Sequence, residues 1–267
     1  MVMCRNLMFI SRKPYGSRIP IYVFEDILES MKYNDDGFAL YVKFLKREYQ
    51  IRTLSLYEYV RTLIRLENEN ILLLHTHLRA ATTGTISVDN VHLWTQNDIM
   101  FSHNGYVTKY AKYSCILKGS KVSIRKFFFN INNKKECEEE ENNDSDSKQF
   151  FYNNVGLLEQ SLLEDNVKKL KEICKNEGLY GVIMINDRNG KFIALGLGKP
   201  VYLYVFKKNK ALIVSNTPMY ISNNANEIKC EYVRGHAGEQ KFYFKKWKEE
   251  NIIEVYKNNW YWYDWYT

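Results

Sequence analysis

The sequence predicts a layered α+β domain, with strand-like segments in two groups and amphipathic helices between them. No internal repeat and no linker rich in Pro or Gly divides the chain. Its 267 residues suit one large domain or two small ones. The simplest architecture is therefore a single layered domain.

The first predicted elements are short. Segments 5–12 and 19–24 have the β-branched and aromatic content of extended chain, and a short helix is predicted over 24–32. The Asp-Gly pair within 34–44 is a turn signal, so this segment is predicted to turn into a strand.

A longer amphipathic helix is predicted over 55–67. Ser55 and Glu58 have the spacing of a capping box, and apolar residues follow them at helical intervals. The aliphatic run 71–74 and residues 99–101 are predicted to form buried strands.

Three predictions concern the middle of the chain. Segment 121–131 has strand-like aromatic content, and 132–148 has the composition of a solvated loop. Over 157–178, apolar residues fall near one helical face, and Gly178 marks the end of the predicted helix.

From about residue 180 the predicted elements are strands. The segments "LYGVIMIND", "KFIALGLG", "PVYLYVFKKN" and "KALIVSN" alternate with turn signals. Residues 187–190 and 207–210 are predicted to be hairpin turns between them.

Composition excludes several classes of protein. Lys and Arg exceed Asp and Glu by 7, but the lysines are scattered, so specific nucleic-acid binding is not expected. No apolar run approaches the ~18–20 residues that span a bilayer, and no signal-peptide pattern begins the chain. The 5 cysteines form no Cys-x-x-Cys pair. A reducing compartment, the cytoplasm, is predicted.

A dense group of polar residues lies between residues 75 and 107. Arg79 offers a planar fork that pairs with a carboxylate, and Thr82 adds a hydroxyl. Asn104 and Gly105 supply the side-chain amide and backbone N–H that often make an oxyanion hole. The nearby histidines have no carboxylate or cysteine at ligand spacing, so no metal is expected.

Several motifs in order resemble the class II glutamine amidotransferase domain of the N-terminal-nucleophile (Ntn) hydrolases. They are Cys4, "DDGFAL", "HTHLRAATTGTISVDNVH", "HNG", "SDS" (145–147) and "ALGLGKPVYL". The resemblance covers about residues 4–220 and implies an Ntn-hydrolase-like fold, a four-layer αββα sandwich of two antiparallel sheets flanked by helices. It implies no cofactor.

The resemblance also implies a role for each matching residue. Cys4 would be the nucleophile, with its own α-amino group as general base, and Asn104 and Gly105 would hold the oxyanion. An α-amino group has a pKa of about 7.7–8.0 and can therefore accept the thiol proton near neutrality. The implied product is a glutamyl thioester with release of ammonia.

Substrate binding is implied at four further positions. Arg79, helped by Thr82, would bind the α-carboxylate of glutamine, and Asp146 its α-ammonium. His103 would position the loop that carries Asn104. Asp144 is a near alternative to Asp146.

The sequence departs from the family pattern at the start of the chain. Members usually begin Met-Cys, whereas Met1, Val2 and Met3 precede Cys4 here. Translation could begin at Met3, a tripeptide could be cleaved, or Cys4 could stay internal and leave the site inactive. In addition, Lys148 follows the acidic motif where a carboxylate is common.

Three functions are compatible with these motifs. The resemblance favours a glutaminase that supplies ammonia to a partner synthetase. A hydrolase of larger γ-glutamyl amides would use the same residues, and a scaffold with Cys4 blocked would use none of them. The amidotransferase-like domain is predicted over 1–235, and the aromatic-rich extension 236–267 is predicted to pack on it.

Overall fold

The computed structural model describes residues 4–11, 13, 15–110, 144–164, 166–199, 201–206, 211–217, 219, 230–234 and 240–244. Within these residues the chain forms four α-helices and twelve strands. The helices are α1 (Ile21–Met31), α2 (Leu56–Leu66), α3 (Asp146–Leu163) and α4 (Val167–Asn176). The strands are β1 (Arg5–Ser11), β2 (Phe38–Lys43), β3 (Glu48–Thr53), β4 (Leu73–Leu78), β5 (Trp94–Gln96), β6 (Ile99–Val107), β7 (Leu179–Asp187), β8 (Phe192–Leu197), β9 (Tyr202–Phe206), β10 (Ala211–Ser215), β11 (Cys230–Arg234) and β12 (Gln240–Phe244).

The strands form two antiparallel sheets. One has seven strands in the order β11-β9-β10-β1-β4-β2-β3, and the other has five in the order β12-β8-β7-β6-β5. β1 is the middle strand of the larger sheet, between β10 and β4. The α+β class with two antiparallel sheets and helices is therefore confirmed.

Alternating side chains on the strands contribute to three apolar clusters. Leu7 and Phe9 of β1 pack in a cluster with α1 and α2, whereas Met8 and Ile10 pack with residues of β6, β7 and β8. The third cluster joins the smaller sheet to α3 and α4. Because successive side chains of a strand point to opposite faces, β1 is covered on both sides.

Helix α1 begins earlier than the sequence indicates. Residues 19–24 were expected to be extended, but the helix starts at Ile21, directly after Pro20. Val23, Ile27 and Met31 are buried at helical spacing, so packing on the larger sheet outweighs the local β-propensity.

Helix α2 confirms its prediction. Ser55 is the N-cap, and its hydroxyl accepts a hydrogen bond from the Glu58 backbone N–H at 3.2 Å. The Asp187–Gly190 turn between β7 and β8 is also confirmed, with Asp187 N donating to Lys191 O at 2.9 Å.

The predicted helix over 157–178 is two helices. α3 ends at Leu163, and Asn166 caps α4 by accepting from Lys169 N at 3.0 Å. α3 also begins within the predicted loop 132–148, at Asp146, after the N-cap Ser145. The acidic end of that segment is therefore a helix N-terminus.

The predicted strand 121–131, the turn 207–210 and most of the aromatic extension lie outside the described residues. Among the helices that the structure describes, none combines the length and the apolar character that crossing a lipid bilayer demands.

Candidate active site

Cys4 lies directly before β1 and is half-buried. Its Sγ accepts a hydrogen bond from Ala80 N at 3.2 Å and donates to Ala80 O at 3.4 Å. Ala80 follows β4, the neighbour of β1, so pairing of these two strands brings the thiol to the polar stretch that begins there. The thiol thus faces the segment that carries Arg79.

The carbonyl of Cys4 accepts two side-chain amide hydrogen bonds. Asn104 Nδ2 donates to it at 2.9 Å and Asn216 Nδ2 at 2.7 Å. Asn104 belongs to β6 of the smaller sheet, and Asn216 follows β10 of the larger one. The two sheets therefore meet at the backbone of Cys4.

Arg79 organises the loop that follows β4. Its guanidinium donates to the carbonyls of Thr83 at 2.8 Å and Thr85 at 2.9 Å, and the residue is buried. Asp36, from the "DDGFAL" motif, accepts from Ala81 N at 2.7 Å. These bonds hold the loop beside the thiol.

Asp146 is buried in the first turn of α3. One carboxylate oxygen accepts from Thr83 Oγ1 at 2.7 Å and Ser147 N at 2.8 Å, and the other accepts from Val107 N at 2.7 Å. A carboxylate at a helix N-terminus is also favoured by the helix dipole. Asp146 thus connects the Arg79 loop, β6 and α3.

Gly105 lies where β6 and β7 approach too closely for a side chain. A Cβ at this position would lie 1.8 Å from Tyr180 O and 2.7 Å from His103 Nε2. Gly105 faces Gly181 across the strand pair, so two glycines permit the close contact. Gly105 also lines the cleft beside the thiol.

His103 is buried under the start of α3. Its Nε2 lies 3.2 Å from Tyr180 O and its Nδ1 lies 2.8 Å from Ser147 Oγ. Since a carbonyl only accepts, Nε2 carries the proton and Nδ1 accepts from the serine. Burial lowers the pKa of His103 to about 4, with the Asp146 charge opposing, so the ring is neutral near pH 7.

The pKa of the Cys4 thiol is raised above its ordinary value, because burial outweighs the favourable contacts. Burial raises its pKa, while the Ala80 hydrogen bond and the positive charges of Arg79 and Lys199 lower it. Burial disfavours the charged form of Lys199 and therefore lowers its pKa, whereas the nearby Cys4 raises it. Among the described residues, no imidazole or carboxylate hydrogen-bonds to Sγ, so none is placed to take the thiol proton directly.

His77 and His92 stack beside the site, with ring centroids 3.8 Å apart and a 9° interplanar angle. Within the described part of the chain, neither ring nitrogen of His77 has a hydrogen-bond partner. Burial lowers the pKa of both histidines well below the ordinary value. Both rings are therefore neutral in the folded protein.

We expect His77→Leu to reduce the acid sensitivity of folding. A histidine with a lowered folded pKa binds its proton more readily when unfolded, so stability falls as pH drops below about 6.5. Between pH 7 and pH 5 this term is about 2 kcal/mol for one such group. Urea unfolding at the two pH values should therefore show a loss that is about 2 kcal/mol smaller in the variant, whereas equal losses would contradict the assignment.

A single cleft brings most of the predicted site residues together. Its lining includes Cys4, Arg79, Thr82, His103, Gly105 and Asp146, together with Ala80, Thr83, His92, Ser145 and Ser147. Asn104 is not in this lining but bonds to the Cys4 carbonyl. Asp144, the alternative to Asp146, is not in it either and pairs with Lys148 at 2.6 Å.

The cleft is narrow, with a volume of about 20 Å³. That is room for about one water molecule. Among the described residues, no group of three or more His, Cys, Asp or Glu side chains is arranged to hold a metal ion.

Sequence reasoning missed three neighbours of the thiol. Asn216, Ser147 and Lys199 reach the site from β10, α3 and the residues after β8. Ser147 and Lys199 had local signals, since Ser147 lies inside "SDS" and Lys199 inside "ALGLGKPVYL". Asn216 reaches Cys4 through a strand pairing that spans most of the chain.

No protein-family model matches the sequence, and no curated protein matches it. Solved structures do match. One is the glutamine phosphoribosylpyrophosphate (PRPP) amidotransferase from B. subtilis complexed with ADP and GMP, at a TM-score of 0.52 and 13% identity. Another is described as the allosteric regulatory enzyme of purine biosynthesis, at 0.54 and 13%.

In both comparisons the match covers 90% of this chain and 49% of the other, so this chain spans about half the length of those proteins. At this identity the match establishes the fold. The chain therefore has the same fold as about half of a glutamine PRPP amidotransferase, which confirms, at the level of the fold, the resemblance that its motifs predict.

Proposed function

We propose that the protein hydrolyses the side-chain amide of glutamine, with Cys4 as nucleophile, and supplies ammonia to a partner enzyme. The observation that carries the proposal is the single cleft in which the Cys4 thiol, Arg79, Gly105 and Asp146 lie together. A fold shared with a glutamine PRPP amidotransferase supports it.

The cleft offers opposite charges for the two ends of an amino acid. Arg79 and Thr82 line the cleft, and a guanidinium pairs well with a carboxylate, so Arg79, helped by Thr82, would bind the substrate α-carboxylate. Asp146 would bind the α-ammonium. The side-chain amide of glutamine would then be directed toward Cys4.

The reaction would proceed in two steps at sulfur. The thiol proton moves to the α-amino group of Cys4, sulfur bonds to the amide carbon, and Asn104 and Gly105 hold the oxyanion. The carbon–nitrogen bond breaks, and nitrogen leaves as ammonia with the transferred proton. Water then cleaves the thioester to give glutamate and the free thiol. This route requires Cys4 to be the first residue.

Glutamine would bind between two walls of this cleft. The Arg79 loop and the start of α3 form facing walls, joined by the Thr83–Asp146 hydrogen bond at 2.7 Å. Exchange of that bond for bonds to the substrate would allow the walls to separate.

We infer the arrangement of the layers and the limits of the domain as well. Three apolar clusters between two helix pairs and two sheets support a four-layer αββα sandwich of the Ntn-hydrolase kind. The domain would span 1–235. β12, in the extension 236–267, pairs with β8, which supports packing of the extension on the domain. A cytoplasmic location and a partner synthetase complete the proposal.

The test is the intact mass of the protein before and after exposure to an electrophilic analogue of glutamine. We expect a chain that starts at Cys4 and gains one adduct, which Cys4→Ala abolishes. Cys174→Ala is the matched control, because that thiol is buried in the cluster around α4. It should leave the adduct unchanged.

Other outcomes identify the alternatives. Ammonia release from a larger γ-glutamyl amide in preference to glutamine would indicate the γ-glutamyl hydrolase. A chain that retains residues 1–3 and forms no adduct would contradict the enzymatic proposal and favour a scaffold.

A further inference from the structure

Asn216 makes three hydrogen bonds to the first described residues of the chain. Its Nδ2 donates to Cys4 O at 2.7 Å, its Oδ1 accepts from Asn6 N at 2.6 Å, and its backbone N donates to Asn6 O at 3.1 Å. The residue is buried. None of the sequence motifs includes it.

These bonds continue the β1–β10 ladder past its last backbone pair. That pair joins Leu7 to Ser215. Beyond it, the backbone N–H of Asn216 donates to Asn6 O, and the side-chain oxygen of Asn216 accepts from Asn6 N, as a backbone carbonyl would in a regular ladder. On the side of β10, these bonds of Asn216 therefore hold Cys4 and Asn6.

The Cys4 carbonyl is the point on which these contacts converge. A carbonyl oxygen has two lone pairs, and here Asn216 and Asn104 each donate to it. Two donors fix the plane of the Cys4–Arg5 peptide and so limit the rotation that would swing Sγ away from Ala80. Both N–H dipoles also direct their positive ends at Cys4, which favours a thiolate over a thiol.

We propose that Asn216 is a positioning residue, which acts through the Cys4 carbonyl to hold the thiol in its reactive orientation and to favour its anionic form. The proposal rests on the proposed function only for the identity of Cys4 as nucleophile. The other charged or titratable side chains around the thiol are those of Arg79, Lys199, His92, His103 and Asp146.

The test uses the full chain and the substitution Asn216→Asp. This variant keeps an oxygen for the Asn6 N–H but replaces the donor to the Cys4 carbonyl with a carboxylate oxygen. Alkylation of Cys4 by iodoacetamide is followed by peptide mass across pH 6 to 10. We expect the midpoint to rise by about one pH unit, so alkylation below it slows about tenfold.

Asn154→Asp is the matched control. Asn154 is also buried, and its Nδ2 also donates to a backbone carbonyl, that of Phe150 at 2.9 Å. It lies eight residues along α3 from Asp146, about 12 Å away. If the role of Asn216 were only structural, both variants would lower the melting temperature and leave the alkylation midpoint unchanged. That result would overturn the proposal.

A second variant covers the case in which Asn216→Asp fails to fold. Asn216→Ala removes the side-chain bonds without adding charge, and we expect slower alkylation and a kcat for glutamine about tenfold lower at nearly constant KM. Alkylation within twofold of the parent would overturn the proposal. Iodoacetamide does not require the glutamine site, so absence of ammonia release in the parent would refute the proposed function alone.

Discussion

Gly105→Ala is expected to destabilise the protein by about 4 kcal/mol and to abolish ammonia release. The new Cβ would lie 1.8 Å from Tyr180 O, a distance that no rotamer change relieves because both atoms belong to backbone-fixed positions. β6 and β7 must therefore separate. The Gly105 N–H, which is proposed to bind the oxyanion, would move with β6. Denaturant unfolding and a glutaminase assay measure the two effects.

Gly156→Ala is the matched control for that substitution. Gly156 lies inside α3, and a Cβ there meets nothing within 4 Å. Alanine favours helix over glycine by about 1 kcal/mol, so this variant should be slightly more stable than the parent. Equal destabilisation by both substitutions would show that the β6–β7 contact is not the cause.

Asp146→Asn is expected to lower kcat/KM for glutamine about 100-fold and stability by about 2 kcal/mol. The carboxylate accepts hydrogen bonds on both oxygens, from Thr83 and Ser147 on one side and from Val107 on the other. An amide has one oxygen, so its NH₂ group must face a donor. The variant also loses the negative charge for the substrate ammonium.

Asp144→Asn is the control for Asp146→Asn. It tests whether another negative charge near the start of α3 binds the substrate ammonium. Asp144 is 41% exposed and pairs with Lys148, an arrangement that contributes little to stability. We expect this control to change stability by less than about 0.5 kcal/mol and kcat/KM by less than about twofold. The reverse pattern would transfer the ammonium-binding role to Asp144.

Local signals predicted which residues lie together in the cleft better than they predicted the bounds of the helices. Residues 75–105 follow one another closely, so motif order alone brought Arg79 and Gly105 to attention, and both line the cleft. The capping pair Ser55 and Glu58 is equally local and was predicted correctly. Such features depend on neighbours within a few residues.

The errors arose where local composition competes with packing or capping. The Asp- and Ser-rich segment before residue 148 has a loop composition, yet Ser145 caps a helix there. Asn is a favoured N-cap residue, but Asn166 lies in a stretch with helical periodicity, so the break between α3 and α4 was not predicted. Asn216 reaches Cys4 only through β1–β10 pairing, which no local pattern encodes.

Because β1 lies in the middle of the larger sheet, between β4 and β10, that sheet cannot be completed until β10 has been synthesised. β10 lies more than 200 residues after β1, so a ribosome working at about 5–20 residues per second needs about 10–40 s to deliver it. During that interval β1 has an open edge, which is a site for aggregation, and Cys4 lacks Asn216. In a nascent chain, the contacts that Asn216 makes with Cys4 and Asn6 therefore form last, after nearly all of the described chain has been synthesised.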